Sequence, residues 1–281
     1  MSLAPADRLH ADLLDLARRL AVEAGSIQRE RYETGLTIDT KSAAIDLVTE
    51  VDRACEAHIV EGIRAARSDD AILAEEGAGG DREDAAVRWI IDPLDGTTNF
   101  AHGFPRFCVS IGIECAGRRS VGVVYDPLLD ERFEASLGEG AWLGERRLAV
   151  SSETELGRAL VATGFAYDVH RSADDNLASF ENVVKRARGI RRDGSAALDL
   201  CYVAAGRLDA YWENKLHPWD VAAGFLILEE AGGRVSDASG RAPGRSGAEV
   251  VATNGHLHAT LLETLAPRPE RPDDSRAQAA G

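Results

Sequence analysis

Trp89-Ile-Ile-Asp92-Pro-Leu-Asp95-Gly-Thr97-Thr-Asn-Phe100 is the stretch on which the interpretation of this chain depends. An apolar run typical of a strand leads directly into two aspartates separated by Pro-Leu. A strand end holds its side chains at the rigid edge of a sheet, so the carboxylates of Asp92 and Asp95 can converge on one point. Hard cations such as Mg²⁺ take carboxylate, carbonyl and water oxygens, so Asp92, Asp95 and the Leu94 carbonyl are candidate ligands.

The residues that follow Asp95 are suited to an anion. Gly96 and Thr97 would place free backbone N–H groups at the start of a helix, where phosphate oxygens bind. Asp, Pro and Gly also favour turns, so the same residues could form only a turn between strands. Taken alone, the stretch leaves both interpretations open.

Three further acidic residues lie in comparable places. Glu75 follows the short apolar run 71–74, and so also stands at a predicted strand end. Asp52 lies near the start of a predicted helix, where a position on the helix surface is the ordinary expectation. Asp220 precedes another predicted helix, where an N-cap role is the ordinary expectation. Spacing does not show whether these carboxylates meet in space.

The apolar pattern predicts an α/β protein. Apolar residues recur three or four apart over 9–32 and 48–67, which indicates two helices, and Val- and Ile-rich runs between 71 and 143 indicate strands. Beyond about 150 the patterns alternate, with helices expected over 176–188, 195–205 and 221–230. We expect two α/β halves, 1–150 and 151–265, stacked as sheet and helix layers. Residues 266–281, rich in proline and charge, are expected to form a disordered tail.

The amino-acid composition indicates which kinds of molecule this protein can bind. The net charge is −15 and no basic block stands out, which argues against direct nucleic-acid binding and against an anionic membrane surface. Carboxylates that hold divalent cations would still permit a phosphorylated substrate. The four cysteines form no C-x-x-C pair, and the N-terminus lacks the pattern of a signal peptide. We expect a cytoplasmic protein that does not enter membranes.

Several motifs in order resemble the inositol monophosphatase family. They are the opening stretch followed by His102-Gly-Phe-Pro105, and Trp219-Asp220-Val-Ala-Ala-Gly-Phe-Leu-Ile-Leu-Glu-Glu-Ala-Gly-Gly233, supported by Lys41, Asp46–Asp52, Glu75–Gly77, Gly122–Asp126, Gly194–Asp199 and Asp209–Glu213. The resemblance covers about residues 8 to 265. It implies the sugar-phosphatase fold, an alternating αβαβα sandwich, and a lithium-sensitive, Mg²⁺-dependent phosphatase that forms a homodimer. Inositol 1-phosphate is the leading substrate, hydrolysed to myo-inositol and phosphate by direct attack of a metal-activated water.

The same resemblance assigns roles to individual residues. Two or three Mg²⁺ ions are implied, the first held by Glu75, Asp92 and the Leu94 carbonyl, the second by Asp92, Asp95 and Asp220, and a weaker third by Glu75 and Asp52. The catalytic residues implied are Asp52, Glu75 and Thr97, with Asp52 and Thr97 forming the pair that activates water. The residues implied to contact substrate are Glu75, Leu94, Asp95, Gly96, Thr97, Gly194, Ser195, Ala196, Glu213 and Asp220.

Other functions stay open at this stage. Histidinol phosphate, fructose 1,6-bisphosphate and 3′-phosphoadenosine nucleotides are alternative substrates for the same chemistry. Asp193, where many members of the family have Thr, Ser or Val, adds a carboxylate that could alter the preference for substrate. A different class of function is a regulatory protein partner of the transcription machinery, a role that would survive loss of the Asp220 carboxylate, whereas catalysis would not.

Overall fold

The structure is a computed structural model that describes residues 5–41, 47–245 and 247–265, so the predicted tail at 266–281 lies outside the described residues. The helices are α1 (Pro5–Arg31), α2 (Glu50–Ala66), α3 (Thr97–Ala101), α4 (Leu177–Val184), α5 (Ala196–Ala204), α6 (Pro218–Glu230) and α7 (His258–Thr264). The strands are β1 (Ile38–Thr40), β2 (Leu47–Thr49), β3 (Ala71–Ala74), β4 (Val87–Asp95), β5 (Cys108–Cys115), β6 (Arg118–Asp126), β7 (Glu131–Ser136), β8 (Gly140–Leu143), β9 (Arg146–Arg147), β10 (Leu160–Thr163), β11 (Gly189–Arg191), β12 (Ala210–Asn214), β13 (Arg234–Ser236) and β14 (Glu249–Thr253).

Two mixed sheets dominate the described part of the chain. The larger has the order β3-β4-β5-β6-β7-β8-β9, in which β3 and β4 are parallel and the other pairs antiparallel. The smaller has the order β11-β10-β12-β14-β13, with β10 parallel to both its neighbours. β1 and β2 form a separate antiparallel pair.

Helices cover both sheets and fill the space between them. The apolar stripe of α1, which includes the fully buried Leu13 and Leu20, packs with α2 on one face of the larger sheet. α5 and α6 contact both sheets and form the middle layer, while α4 and α7 pack over the outer face of the smaller sheet. This order of layers confirms the predicted αβαβα sandwich. No helix within the described ranges is both long enough and apolar enough to cross a membrane.

A close approach between α6 and the larger sheet positions the start of α6. A Cβ added to Gly122 in β6 would lie 2.8 Å from the carbonyl oxygen of Ala223, closer than real Cβ contacts. Glycine at this point lets the helix backbone lie directly on the sheet. The first turn of α6, which carries Asp220, is thereby brought from the second half of the chain toward the end of β4.

Several predicted boundaries were wrong. The helix predicted over 176–188 ends at Val184, and 189–191 forms the edge strand β11. The helix predicted from 221 begins at Pro218, whose fixed φ suits the first turn of a helix. Strand β7 was missed because charged residues interrupt its alternation; one of them, Glu134, is buried and paired with Arg18 at 2.6 Å. The short elements β13 and α7 were also missed.

Candidate active site

The site begins at an irregularity in β4. Asp92 pairs with Ser110 and Asp95 with Cys108, so Pro93 and Leu94 oppose a single residue of β5 and form a bulge. Such a bulge re-aims the side chains on either side of it. The Asp92 side chain accepts a hydrogen bond from the Leu94 N–H at 3.0 Å, which fixes the turn that the sequence predicted.

Neighbouring elements bring other carboxylates to the same point. The parallel register of β3 and β4 pairs Ala74 with Ile91, so Glu75 follows beside Asp92. The first turn of α6 adds Asp220. Glu75, Asp92, Asp95 and Asp220 all line one cavity of about 250 Å³, together with Leu94, Gly96 and Thr97. The structure therefore brings together carboxylates that are as far apart in the sequence as Glu75 and Asp220.

Burial and mutual repulsion disfavour the charged form of these carboxylates. Burial raises the pKa of Asp92 well above its usual value, and Glu75, Asp95 and Asp220 raise it further. Burial also raises the pKa of Asp220, and the negative charges of Asp95 and Glu75 raise it further. The pKa of Glu75 is raised to about 7, mainly by burial and against the opposing effect of Lys41. A group of acids in this state has too little compensating positive charge from the protein, since Lys41 offsets only part of the burial effect.

The donor set fits a hard divalent cation, although it is not a closed cage. Within residues 5–41, 47–245 and 247–265, no three His, Cys, Asp or Glu side chains already converge as a metal-ligand group. Lys41 supplies partial neutralisation, since its Nζ lies 2.8 Å from Glu75 Oε1 and also contacts Glu76. All the candidate ligands are oxygens, the donors that Mg²⁺ prefers, and their unbalanced charge would be offset by bound cations.

Asp52 and Thr97 form a buried hydrogen-bonded pair. Asp52 is fully buried, which corrects the expectation of a helix-surface position. One of its oxygens accepts from the Thr97 hydroxyl at 2.8 Å, and the other accepts from the N–H and hydroxyl of Thr49, the N-cap of α2. Thr97 lines the cavity and Asp52 lies behind it. Burial raises the pKa of Asp52, and the hydrogen bonds from Thr49 and Thr97 oppose that rise.

The start of α5 supports Asp95 and borders the cavity. Ser195 Oγ donates to Asp95 Oδ2 at 2.7 Å, and the Ala197 N–H donates to the same oxygen at 2.8 Å. Gly194 and Ala196 line the cavity, whereas Ser195 is buried beside Asp95, so its predicted contact with substrate stays a prediction.

Glu213 lies on the cavity wall at the end of β12. Burial raises its pKa to about 7, and the Tyr211 hydroxyl donates to Glu213 Oε2 at 2.6 Å. A Cβ added to Gly164 would lie 2.0 Å from the Glu213 carboxylate, so any larger residue there would displace this carboxylate from its observed position. Sequence reasoning missed Gly164 because the contact joins β12 to the segment after β10.

Two acidic residues have a different setting from the one that the sequence favoured. Asp220 is not the N-cap of α6; that position belongs to His217, whose N–H donates to Asp220 Oδ2 at 2.6 Å. Asp193 does not line the cavity, and its carboxylate faces Arg106 at 3.9 Å. Its neighbour Arg192 lines the cavity instead.

Comparison with known proteins agrees with the fold. A family model described as the inositol monophosphatase family matches residues 10–270. The chain is 44% identical over 257 residues to an inositol-1-monophosphatase of Synechocystis, covering 92% of this chain and 90% of that protein. It is 45% identical over 262 residues to the Nus factor SuhB of Pseudomonas aeruginosa, covering 91% and 96% of the two chains.

A solved structure of the same family has the same fold. The inositol monophosphatase of Anabaena (Nostoc) superposes with a TM-score of 0.83 at 42% identity, covering 92% of this chain and 97% of that one. Agreement over nearly the whole length includes the segments that carry the acidic cavity. The chain therefore belongs to the inositol monophosphatase family and is a phosphatase.

Proposed function

We propose that the protein hydrolyses a polyol phosphate monoester, with inositol 1-phosphate as its leading substrate, in a reaction that depends on Mg²⁺. The observation that carries this proposal is the single cavity that joins four carboxylates, the Leu94 carbonyl and the Thr97 hydroxyl to Glu213 and the start of α5. The acidic group suits cations that bind a phosphate, and the Glu213 wall suits the hydroxyl groups of a polyol.

The residues that would hold the cations divide into two sets that share Asp92. One set is Glu75, Asp92 and the Leu94 carbonyl, and the other is Asp92, Asp95 and Asp220. Asp52 lies behind Thr97 and does not line the cavity, which favours two ions over three. Bound there, divalent cations would offset the charge of the phosphoryl oxygens and lower the pKa of a water.

The chain's own groups would orient the reactants. The backbone N–H groups at Gly96 and Thr97 would hold phosphate oxygens. The Thr97 hydroxyl donates to Asp52 and so keeps its lone pairs available to accept a hydrogen bond from the attacking water. Glu213 and the backbone of Gly194 and Ala196 would bind hydroxyl groups of the polyol, placing the ester oxygen opposite that water.

A protein nucleophile is not needed for this reaction. Cys108 lies behind Asp95, its Sγ 3.8 Å from Asp95 Oδ2, and does not line the cavity. Burial raises the pKa of its thiol well above the usual value, so the reactive thiolate is disfavoured. Direct attack by water on phosphorus is the mechanism that this arrangement supports.

A panel of phosphate esters tests the choice of substrate. We expect the highest kcat/KM for inositol 1-phosphate, ahead of histidinol phosphate, fructose 1,6-bisphosphate and 3′-phosphoadenosine 5′-phosphate. Glu213→Gln should lower kcat/KM for inositol 1-phosphate by about 10- to 100-fold, because a charge-assisted hydrogen bond to the polyol is lost. Glu181→Gln, in an exposed ion pair with Lys185 on α4, is the matched control. A preference of tenfold or more for another ester would overturn the choice of inositol 1-phosphate.

A second function is favoured by one specific observation, the name Nus factor SuhB carried by several relatives of 40–45% identity. We infer a regulatory contact with the transcription machinery through protein surfaces, since the net charge of −15 disfavours direct RNA binding. We also propose a lithium-sensitive homodimer that acts in the cytoplasm. These properties rest on the resemblance to the family.

A further inference from the structure

Lys215 combines an unusual backbone with a set of directed contacts. It follows β12, two residues after Glu213, and has φ of 62°, a left-handed conformation that glycine adopts more readily than lysine. Its Nζ donates to Asp168 Oδ1 at 2.9 Å, to Asp168 Oδ2 at 2.7 Å and to Ser172 Oγ at 2.7 Å. Its backbone N–H donates to the carbonyl of Ala248, which fixes the start of the side chain.

The partners of Lys215 belong to the segment that forms one wall of the cavity. The 164–176 loop joins β10 to α4, and its residues Phe165, Ala166, Tyr167 and Val169 line the cavity. The base of the loop is fixed by Asn176, whose Nδ2 donates to the Gly164 carbonyl at 2.8 Å and whose Oδ1 accepts from Trp212. Lys215, which itself lines the cavity, provides a second attachment near the middle of the loop.

A direct role for Lys215 in binding phosphate is less consistent with these contacts. An ammonium group has three donors, and the carboxylate oxygens of Asp168 and the Ser172 hydroxyl occupy them. A purely structural role is also poorly supported. The Asp168 side chain is 47% exposed, and ion pairs that are this exposed add little to the free energy of unfolding. What the pair does fix is the position of the wall relative to Glu213.

We propose that Lys215 is a positioning residue, which through Asp168 and Ser172 clamps the 164–176 loop and thereby sets the shape of the polyol pocket. The inference rests on the proposed function, because it concerns the part of the cavity that would hold the polyol. The clamp would select by the size of the alcohol. It leaves the phosphate-binding part of the cavity unchanged, because neither Asp168 nor Ser172 lines the cavity.

Asp168→Asn tests the clamp without changing a cavity residue. We expect KM for inositol 1-phosphate to rise about 3- to 10-fold, with kcat changed less than about twofold. A rise of this size matches the small energy of one partly exposed ion pair. KM for glycerol 2-phosphate, whose small alcohol does not need the wall, should stay the same. Glu181→Gln, which breaks an exposed ion pair of α4 away from the cavity, should change neither KM.

Substitutions at Lys215 separate positioning from a structural role. Lys215→Gly should raise KM for inositol 1-phosphate while the thermal midpoint stays the same or rises, because glycine accepts the left-handed backbone. Lys215→Arg should restore most of the affinity by keeping a cation beside Asp168. A rise in KM that accompanies a lower thermal midpoint in Lys215→Gly would overturn the proposal, as would equal rises for both esters.

Hydrogen exchange of the 164–176 loop gives a readout that does not depend on the substrate. In the substrate-free protein, Asp168→Asn and Lys215→Gly should each speed amide exchange in this loop several-fold relative to wild type and leave α4 unchanged. Unchanged exchange in the loop would contradict the clamp. If wild type fails to hydrolyse inositol 1-phosphate, the proposed substrate is wrong, and the exchange result still decides whether Lys215 holds the loop.

Discussion

Asp92→Asn is expected to abolish phosphate release and to make the metal-free protein more stable. Asp92 is 2% exposed, and its charge is opposed by those of Glu75, Asp95 and Asp220. A neutral amide of the same shape removes that repulsion and can still accept the hydrogen bond from the Leu94 N–H. We expect the free energy of unfolding to rise, because the amide removes a buried charge that the neighbouring acids repel.

Activity should fall at least about 1000-fold in the same variant, because Asp92 belongs to both proposed cation sets and their loss removes most of the stabilisation of the phosphoryl charge. Chemical unfolding in EDTA and phosphate release in Mg²⁺ measure the two effects. Asp15→Asn, a carboxylate with a side chain 74% exposed on α1, should change neither. An Asp92→Asn protein that is less stable and still active would contradict the assignment.

Thr97→Val is expected to lower kcat about 100-fold or more with a small effect on KM, the range typical of losing a group that orients or accepts a proton. Valine has nearly the same shape and lacks the hydroxyl that donates to Asp52 at 2.8 Å. Asp52→Asn should have a similar effect, because Asp52 acts through Thr97 and does not line the cavity. Thr97→Ser keeps the hydroxyl and should retain most of the activity.

The double variant decides whether Asp52 and Thr97 act as a unit. Residues that act together give non-additive losses, so Thr97→Val combined with Asp52→Asn should be no slower than the worse single variant by more than about threefold. Initial rates at saturating inositol 1-phosphate and Mg²⁺ measure this. Losses that multiply would show that the two residues act independently, and the proposed pair would be wrong.

The sequence predicted best those parts of the site that are local. Asp92, Leu94 and Asp95 lie within one strand end, where hydrophobic pattern and turn chemistry reveal the geometry directly. The buried state of Asp52 could not be predicted in this way. The spacing of apolar residues in α2 places Asp52 on the polar face of the helix. Only the packing of α2 against the end of β4 buries the Asp52 side chain.

The alcohol side of the cavity was the least predictable part. The direction of Asp193 depends on Arg106, and the position of the 164–176 loop depends on a lysine 47 residues from Asp168. Contacts of this kind join segments with no periodic relation to one another, so no local pattern indicates them. The αβαβα order of layers was easier to predict from the sequence, because the strands and most helices have their own apolar patterns.

Phosphate release from inositol 1-phosphate, measured after removal of divalent cations and then during titration with Mg²⁺, tests the central claim most directly. The proposed function predicts that EDTA abolishes the activity and that Mg²⁺ restores it in wild type, but not in Asp92→Asn. Metal binding to the folded state alone should also raise the thermal midpoint as Mg²⁺ increases. Full activity retained in EDTA would contradict the proposed function.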